Sequence, residues 1–91
     1  MKFKLSGNLA KFTNYKKEVH IDIAQPSTLK ELLDYLILQY PALKEVIYDK
    51  DTNVKKGYLI SLNGQKINPN DFNESIKNND HVDIFTAIAG G

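Results

Sequence analysis

The chain has 91 residues, of which 42% are hydrophobic and 25% charged, and its formal net charge is +1. This length predicts one small domain that can bury a core without covalent crosslinks. The absence of cysteine excludes disulfides, thiolate metal sites and cysteine nucleophiles. No apolar stretch approaches the roughly 20 residues of a membrane span, and no signal peptide is recognisable, so we expect a cytoplasmic protein without a membrane partner.

The pattern of basic residues favours a solvated surface over a nucleic-acid site. All 12 are lysine, and the two doublets, Lys16-Lys17 and Lys55-Lys56, fall in apparent loops. A nucleic-acid interface usually has a basic stripe interleaved with aromatic side chains. We therefore expect no nucleic-acid partner.

The first two elements are predicted to be strands. Residues 1–5 alternate apolar and polar side chains, as a half-buried strand does. Residues 18–23 alternate more clearly and place Val19, Ile21 and Ile23 on one face. Between them lies a long loop, so the pair predicts a hairpin with an extended connection.

A helix is predicted to begin after Thr28. Thr28 and Glu31 have the spacing of a capping box, in which each side chain satisfies an amide at the helix start. Pro41 is expected to end the helix, because the residue before a proline avoids helical geometry. Tyr35 and Leu38 fall outside the apolar stripe and are expected to be exposed. The stripe has the spacing of one helical face and consists of Leu29, Leu32, Leu33, Leu36, Ile37 and Tyr40.

The segment after the helix predicts a short helix and a second hairpin. "PALKEVIYD" is typical of one or two helical turns that dock through Leu43, Val46 and Ile47. A polar loop then leads to a strand over residues 58–62. Asn63-Gly64 is typical of a type I′ hairpin turn, and residues 65–67 return as a short strand.

The last third predicts turns followed by one strand. Residues 68–80 are rich in asparagine and are expected to form turns, with Phe72 and Ile76 anchored in the core. Residues 81–87 are predicted to form the final strand. On that strand Val82 and Ile84 face inward. The outward positions are His81, Asp83 and Phe85.

The order of these elements predicts an α+β protein of the β-grasp, or ubiquitin-like, class. Two hairpins joined by a crossover helix give a mixed sheet of four to five strands with one main helix packed on one face. We assign residues 1–87 to this domain and residues 88–91 to a flexible tail that ends in Gly90-Gly91.

Four segments carry a resemblance to a known family: "STLKELLDYLILQYPALKE", "ISLNGQKI", "NNDHVDIFTAIA" and the final Gly-Gly. Together they resemble the ubiquitin-like sulfur carriers, namely the small subunit of molybdopterin synthase and the thiamine sulfur carrier. The length and the extra helical turn at "PALKE" are more similar to the molybdopterin branch. Molybdopterin-type chains often carry a proline pair where this chain has Thr86-Ala87.

The resemblance implies that the tail takes part in sulfur transfer. A terminal carboxylate is ionised at neutral pH and must be activated before it can donate an acyl group. This chain has no phosphate-binding loop of the GxxxxGK[ST] type, so ATP is expected to be used by a partner. The resemblance implies that an adenylating enzyme of the ubiquitin-activating type joins AMP to Gly91, and that a persulfide donor then leaves a thiocarboxylate there. Gly90 and Gly91, which lack Cβ atoms, suit a tail that passes through a narrow channel.

The protein is accordingly expected to be a cosubstrate without catalytic activity of its own and without a bound cofactor. The resemblance implies that Phe85 is an anchor for a partner, with Ser61 nearby on the same face; the alternative is that Phe85 only packs across the strands. Ala87, Ile88 and Ala89 lead into the tail, and Ile88 fills either a partner's groove or a place in its own domain. The large subunit of molybdopterin synthase is a further expected partner.

Two other functions remain open at this point. An activated Gly91 would also suit a ubiquitin-like modifier that forms isopeptide bonds to lysines, and a β-grasp interaction module would need no Gly-Gly end. His20 and His81 are expected to bind no metal, because neither lies in a group of ligands. Asp80 is expected to hold the turn before the last strand.

Overall fold

The structure, a computed structural model, describes residues 1–68, 70–71 and 73–86. Within these residues the chain forms seven strands and three helices. In chain order they are β1 (Lys2–Leu5), α1 (Gly7–Ala10), β2 (Glu18–His20), β3 (Ser27–Thr28), α2 (Leu29–Gln39), α3 (Leu43–Ile47), β4 (Tyr58–Leu62), β5 (Gln65–Ile67), β6 (Ser75–Ile76) and β7 (His81–Thr86).

Five of the strands form one mixed sheet in the order β2-β1-β7-β4-β5. β1 runs parallel to β7, and the other neighbouring pairs are antiparallel. Helix α2 covers one face of this sheet, which confirms the predicted β-grasp class and its five-stranded variant. β7, the strand that leads to the tail, lies in the middle of the sheet.

The core lies between α2 and one face of the sheet. Phe3 is in register with Val19 on one side and with Val82 on the other, and Ile60 is in register with Ile84. Burial of such aliphatic and aromatic side chains is the main favourable term in folding. The completely buried residues of the core are Phe3, Leu9, Leu29, Leu33, Leu36, Leu43, Ile47, Ile60, Ile76 and Val82.

Helix α2 begins as the sequence predicts. The Glu31 amide donates to Thr28 Oγ1 at 3.2 Å, and the Thr28 amide donates to Glu31 Oε1 at 3.1 Å. These reciprocal bonds form a capping box. The helix ends at Gln39, two residues before Pro41. Leu38 is 78% exposed and Tyr35 45% exposed, as the stripe predicts.

The connection between the first two strands is more ordered than predicted. It contains α1, and Thr13 is completely buried, with its hydroxyl oxygen 3.0 Å from the Ala10 carbonyl and 2.8 Å from the Lys16 carbonyl, to either of which it can donate its one hydrogen. The second strand is shorter than predicted and ends at His20. The Ile23 amide bonds to Asn78 Oδ1 at 3.1 Å, outside any strand ladder.

Residues 68–80 are predicted from the sequence to form turns, but they contain the short strand β6. β6 pairs with β3 in a separate two-stranded sheet, with Ser27 opposite Ile76. The Leu29 amide also donates to the Glu74 carbonyl at 2.9 Å, which attaches this segment to the start of α2. Ile76 is completely buried, as predicted. Phe72 lies outside the described residues.

No helix in the described ranges is long and apolar enough to cross a membrane.

Candidate functional site

The strand that leads to the predicted tail is held on both sides. β7 pairs with β1 through four positions and with β4 through five, and the Ser6 amide donates to the Ile84 carbonyl at 3.0 Å. Thr86, opposite Tyr58, is the last described residue. The predicted site residues Ala87, Ile88, Ala89, Gly90 and Gly91 lie outside the described part of the chain.

The sheet face opposite α2 is the surface next to this strand, and we call it the open face. Its side chains follow from the strand registers, since paired residues share a face and alternate residues point to opposite faces. They are Lys2, Lys4, Glu18, His20, Leu59, Ser61, Lys66, His81, Asp83 and Phe85.

Phe85 and Leu59 form an apolar pair on the open face, next to Thr86, the last described residue. They are directly opposite each other in the β4–β7 ladder. Both are half-buried, and neither belongs to the core cluster between sheet and helix. The pair therefore places partly exposed apolar surface on the side of the sheet away from the core. The structure thus places Phe85 on the face that the sequence predicted.

Ser61 lies next to this pair, as predicted, but it is buried. It is opposite Asp83 and two residues from Leu59 on the same strand, and only 6% of its surface is exposed. A serine side chain is short, so the longer side chains around it cover it. Ser61 therefore lies at the bottom of the open face and does not project from it.

Asp83 was not singled out as a binding residue in the sequence analysis. It lies in the centre of the open face, in register with Lys4 on one side and Ser61 on the other. Its Oδ1 is buried and has no hydrogen-bond partner among the described residues. Buried polar atoms without a partner are uncommon in folded proteins. Only the packing of neighbouring strands reveals this oxygen, so the sequence gives no signal for it.

The turn before β7 is fixed by side-chain hydrogen bonds. Asn63 Nδ2 donates to Asp80 Oδ1 at 2.9 Å, and Asn63 Oδ1 accepts from the His81 amide at 3.0 Å. The Lys77 amide donates to Asp80 Oδ2 at 2.8 Å. The Asn63 amide group and then the Lys77 backbone amide hold the pKa of Asp80 below its ordinary value. Asp80 holds the turn, as the sequence predicted.

The two histidines lie at the far end of the open face. His20 and His81 flank Lys2 in the strand register, and His20 Nε2 is 3.8 Å from Glu18 Oε2. Across the part of the chain that the structure describes, no group of three or more histidine, aspartate or glutamate side chains could hold a metal ion. This end of the face is polar and carries mixed charge.

A second polar cluster lies on the helix side, away from the open face. Tyr48 is 6% exposed, and Lys30 Nζ lies 5.3 Å from the centre of its ring. Lys30 Nζ also pairs with Asp34 Oδ1 at 2.8 Å. Burial, and then the Asp34 carboxylate, raise the pKa of Tyr48 to about 12. These contacts attach the end of α3 to α2.

Comparison with family models identifies the family of this chain. The model of the ThiS family matches residues 3–91. The protein belongs to the ThiS family. The members of this family share the ubiquitin-like sulfur carrier and modifier fold, and these small carrier proteins are not catalysts by themselves. No sequence among the curated proteins matches the chain.

Solved structures agree with this assignment. The small archaeal modifier protein SAMP1 from Haloferax volcanii has a TM-score of 0.83 and 24% identity over 100% of this chain and 98% of its own. SAMP1 from Methanosarcina acetivorans has a TM-score of 0.77 and 26% identity over 99% of this chain and 94% of its own. The BexX/CysO complex of Amycolatopsis orientalis contains a chain with a TM-score of 0.80 and 19% identity over 99% of this chain and 98% of its own.

Proposed function

We propose that this ThiS-family protein carries sulfur as a thiocarboxylate on Gly91. The observation that carries the proposal is the family match, which runs through residue 91 and so includes Gly90-Gly91. β7, the strand that precedes residues 87–91 in the chain, lies in the centre of the sheet and pairs along both of its edges. A folded domain whose terminal carboxylate reacts is suited to act as a protein cosubstrate.

The chemistry requires two steps, both catalysed by a partner. In the first, the Gly91 carboxylate attacks the α-phosphorus of ATP, an acyl-adenylate forms, and pyrophosphate leaves. In the second, a sulfur nucleophile adds to the acyl carbon and AMP leaves, which creates the C–S bond of the thiocarboxylate. A persulfide, the donor in the cell, first forms an acyl disulfide, and a thiol must then reduce its S–S bond to release the thiocarboxylate. Hydrosulfide forms the thiocarboxylate directly, so the test needs no further reductant.

The partner docks on the open face through the Leu59–Phe85 pair. An apolar contact beside the departing chain would hold the domain while the tail enters an active site, and aromatic side chains often carry most of the energy of such interfaces. The buried Oδ1 of Asp83, which lacks a partner among the described residues, would accept a hydrogen bond from the docked protein. The solved BexX/CysO complex contains a protein of the same fold, which supports a role in complexes.

Within this function, molybdopterin synthesis is the proposed pathway. The short helix α3 after Pro41 corresponds to the "PALKE" turn on which the resemblance to the molybdopterin branch rests. The large subunit of molybdopterin synthase would then be the second partner. It would receive the tail after the adenylating enzyme has released it.

The test is the intact mass of the protein after incubation with ATP, hydrosulfide and the adenylating enzyme of the same organism. We expect a gain equal to the exchange of one oxygen for sulfur. A chain without Gly91 is the control and should show no gain. If the full chain also shows none while the enzyme is active on its own substrate, the carrier function is wrong.

A second function, covalent modification of other proteins, is favoured by one specific observation. SAMP1 of M. acetivorans, which is named a modifier, shares 26% identity over nearly the whole chain. In this alternative a lysine amine attacks the acyl-adenylate and an isopeptide bond replaces the bond to AMP. Conjugates of higher mass in a cell extract, absent for the chain without Gly91, would identify this function.

A further inference from the structure

The outer edge of β2 offers unpaired backbone groups to a second strand. β2 is the edge strand of the five-stranded sheet. The Leu5 amide donates to the Lys17 carbonyl at 2.8 Å and the Ile21 amide to the Met1 carbonyl at 3.0 Å, so odd-numbered residues of this strand turn toward β1. Because antiparallel ladders alternate, the amides and carbonyls of Glu18 and His20 point outward.

This edge is open to solvent. The side chains of Glu18 and His20 are 45% and 72% exposed. An open depression of about 570 Å³ lies beside the strand, between it and the end of α2 at Gln39 and Tyr40. Natural proteins often cover or block such edges because they pair readily with other chains. Here the edge is accessible.

When a second copy of β2 runs antiparallel to the first, the polar side chains of the two strands are complementary. A copy centred on Val19 places Glu18 opposite His20 in both directions. Both side chains lie on the open face, so a carboxylate meets an imidazole that can donate a hydrogen bond to it. Like charges directly across an antiparallel pair would destabilise it, and this register brings none together within β2.

We propose that a second copy of this chain pairs with β2 about a two-fold axis at Val19. The contact is isologous, because the same residues of both copies form it. Glu18 and His20 of one copy would exchange backbone hydrogen bonds with His20 and Glu18 of the other. The two sheets become one continuous sheet, and the open face and β7 of both copies remain free.

The contact is small, so association is weak and becomes measurable only at high protein concentration. Interfaces at the low end of the size range belong to transient complexes. This proposal does not depend on sulfur transfer. It concerns the folded domain alone.

The decisive experiment uses two variants of the edge, Glu18→Lys and His20→Glu. Each alone loses both Glu18–His20 contacts, because the first places lysine opposite His20 and the second places glutamate opposite Glu18, so its self-association should fall by about tenfold. In a mixture of the two, the lysine introduced in one chain faces the glutamate introduced in the other, and the native His20 of the first chain faces the native Glu18 of the second. Hetero-association should therefore return to the level of the native chain. Sedimentation velocity over a range of concentrations measures all four samples.

A matched control removes the effect of overall charge. Lys50→Gln and Asp51→Lys make the same changes in net charge at exposed positions of a loop. This pair should associate no more when mixed than the native chain does alone. All variants should remain folded at the temperature of the measurement, since the side chains of Glu18 and His20 are 45% and 72% exposed.

Amide hydrogen exchange then locates the contact. Protection of the Glu18 and His20 amides should rise with protein concentration, while their protection stays low in the dilute sample. A chain that remains monomeric up to millimolar concentration overturns the proposal. So does a dimer that the His20→Glu change leaves intact, or one in which these two amides stay unprotected.

Discussion

At the scale of single residues, Asn63 has two roles in the turn before the last strand. Its backbone has a φ of 53° and the next residue, Gly64, a φ of 84°, as a type I′ turn requires. Its side chain joins Asp80 to the His81 amide. The "NG" pair predicts the turn, but the sequence does not reveal that the amide also binds a carboxylate 17 positions away.

The Asn63→Asp variant should lose about 1 kcal/mol of unfolding free energy at neutral pH. The side-chain amide that donates to Asp80 is replaced by a carboxylate, which repels the Asp80 carboxylate. Aspartate tolerates positive φ, so the turn itself is retained. Adding Asp80→Asn should restore most of the loss, since the amide introduced by the second change would donate to the carboxylate introduced by the first. Urea denaturation of the single and double variants measures the recovery. An additive second loss would contradict the pairing.

Tyr48 gives a residue-scale prediction at alkaline pH. Its pKa is raised to about 12 by burial and by Asp34, whereas a tyrosine in the unfolded chain titrates near pH 10. A phenol with a raised folded pKa contributes stability that is complete below about pH 10 and is lost as pH rises from about 10 to 12. The chain should therefore lose stability over this range.

Replacing Tyr48 with Phe should remove much of this alkaline loss, measured as the midpoint of urea denaturation against pH. Tyr15→Phe is the matched control, because Tyr15 is 79% exposed and its removal should leave the profile unchanged. Equal profiles for native chain and Tyr48→Phe would mean that this phenol does not couple to folding.

At the scale of elements, the start of α2 depends on one hydroxyl. Thr28→Ala removes the acceptor for the Glu31 amide and should destabilise the protein by about 1 kcal/mol. Thr28→Ser retains a hydroxyl and should cost only a fraction of that. Thermal denaturation of the two variants compares them, and equal losses would show that the methyl group, rather than the cap, matters.

Elements fixed by local chemistry were predictable, whereas those fixed by distant contacts were not. The capping box and the Asn63-Gly64 turn lie within a few residues, so their patterns are visible in the sequence. β3 and β6 contain two residues each. They form because Ser27 pairs with Ile76, which is far away in the sequence. Helix α1 likewise lacks a side-chain cap. Short segments of this kind carry no periodicity for a sequence pattern to detect.

At the scale of the whole molecule, the two faces of the sheet carry different side chains. The face under α2 holds the core, and the open face carries the Leu59–Phe85 pair next to Thr86, the last described residue. Strand alternation in the sequence was sufficient to place Phe85 on the open face. The burial of Ser61 and the unpaired Oδ1 of Asp83 depend on neighbouring strands and required the structure.

This division predicts that partner binding and folding can be separated. Phe85→Ala should lower kcat/KM of the adenylating enzyme for this protein by about tenfold or more, the effect of a central interface residue. The far side of the molecule offers the control: Leu38 is 78% exposed on the outer surface of α2, and Leu38→Ala removes a comparable exposed apolar group. Pyrophosphate release at varied carrier concentration measures both variants. Because a docking contact acts before chemistry, the loss should appear mainly in KM, and both variants should retain a native circular dichroism spectrum. Equal kinetics for the two variants would exclude the open face as the docking surface.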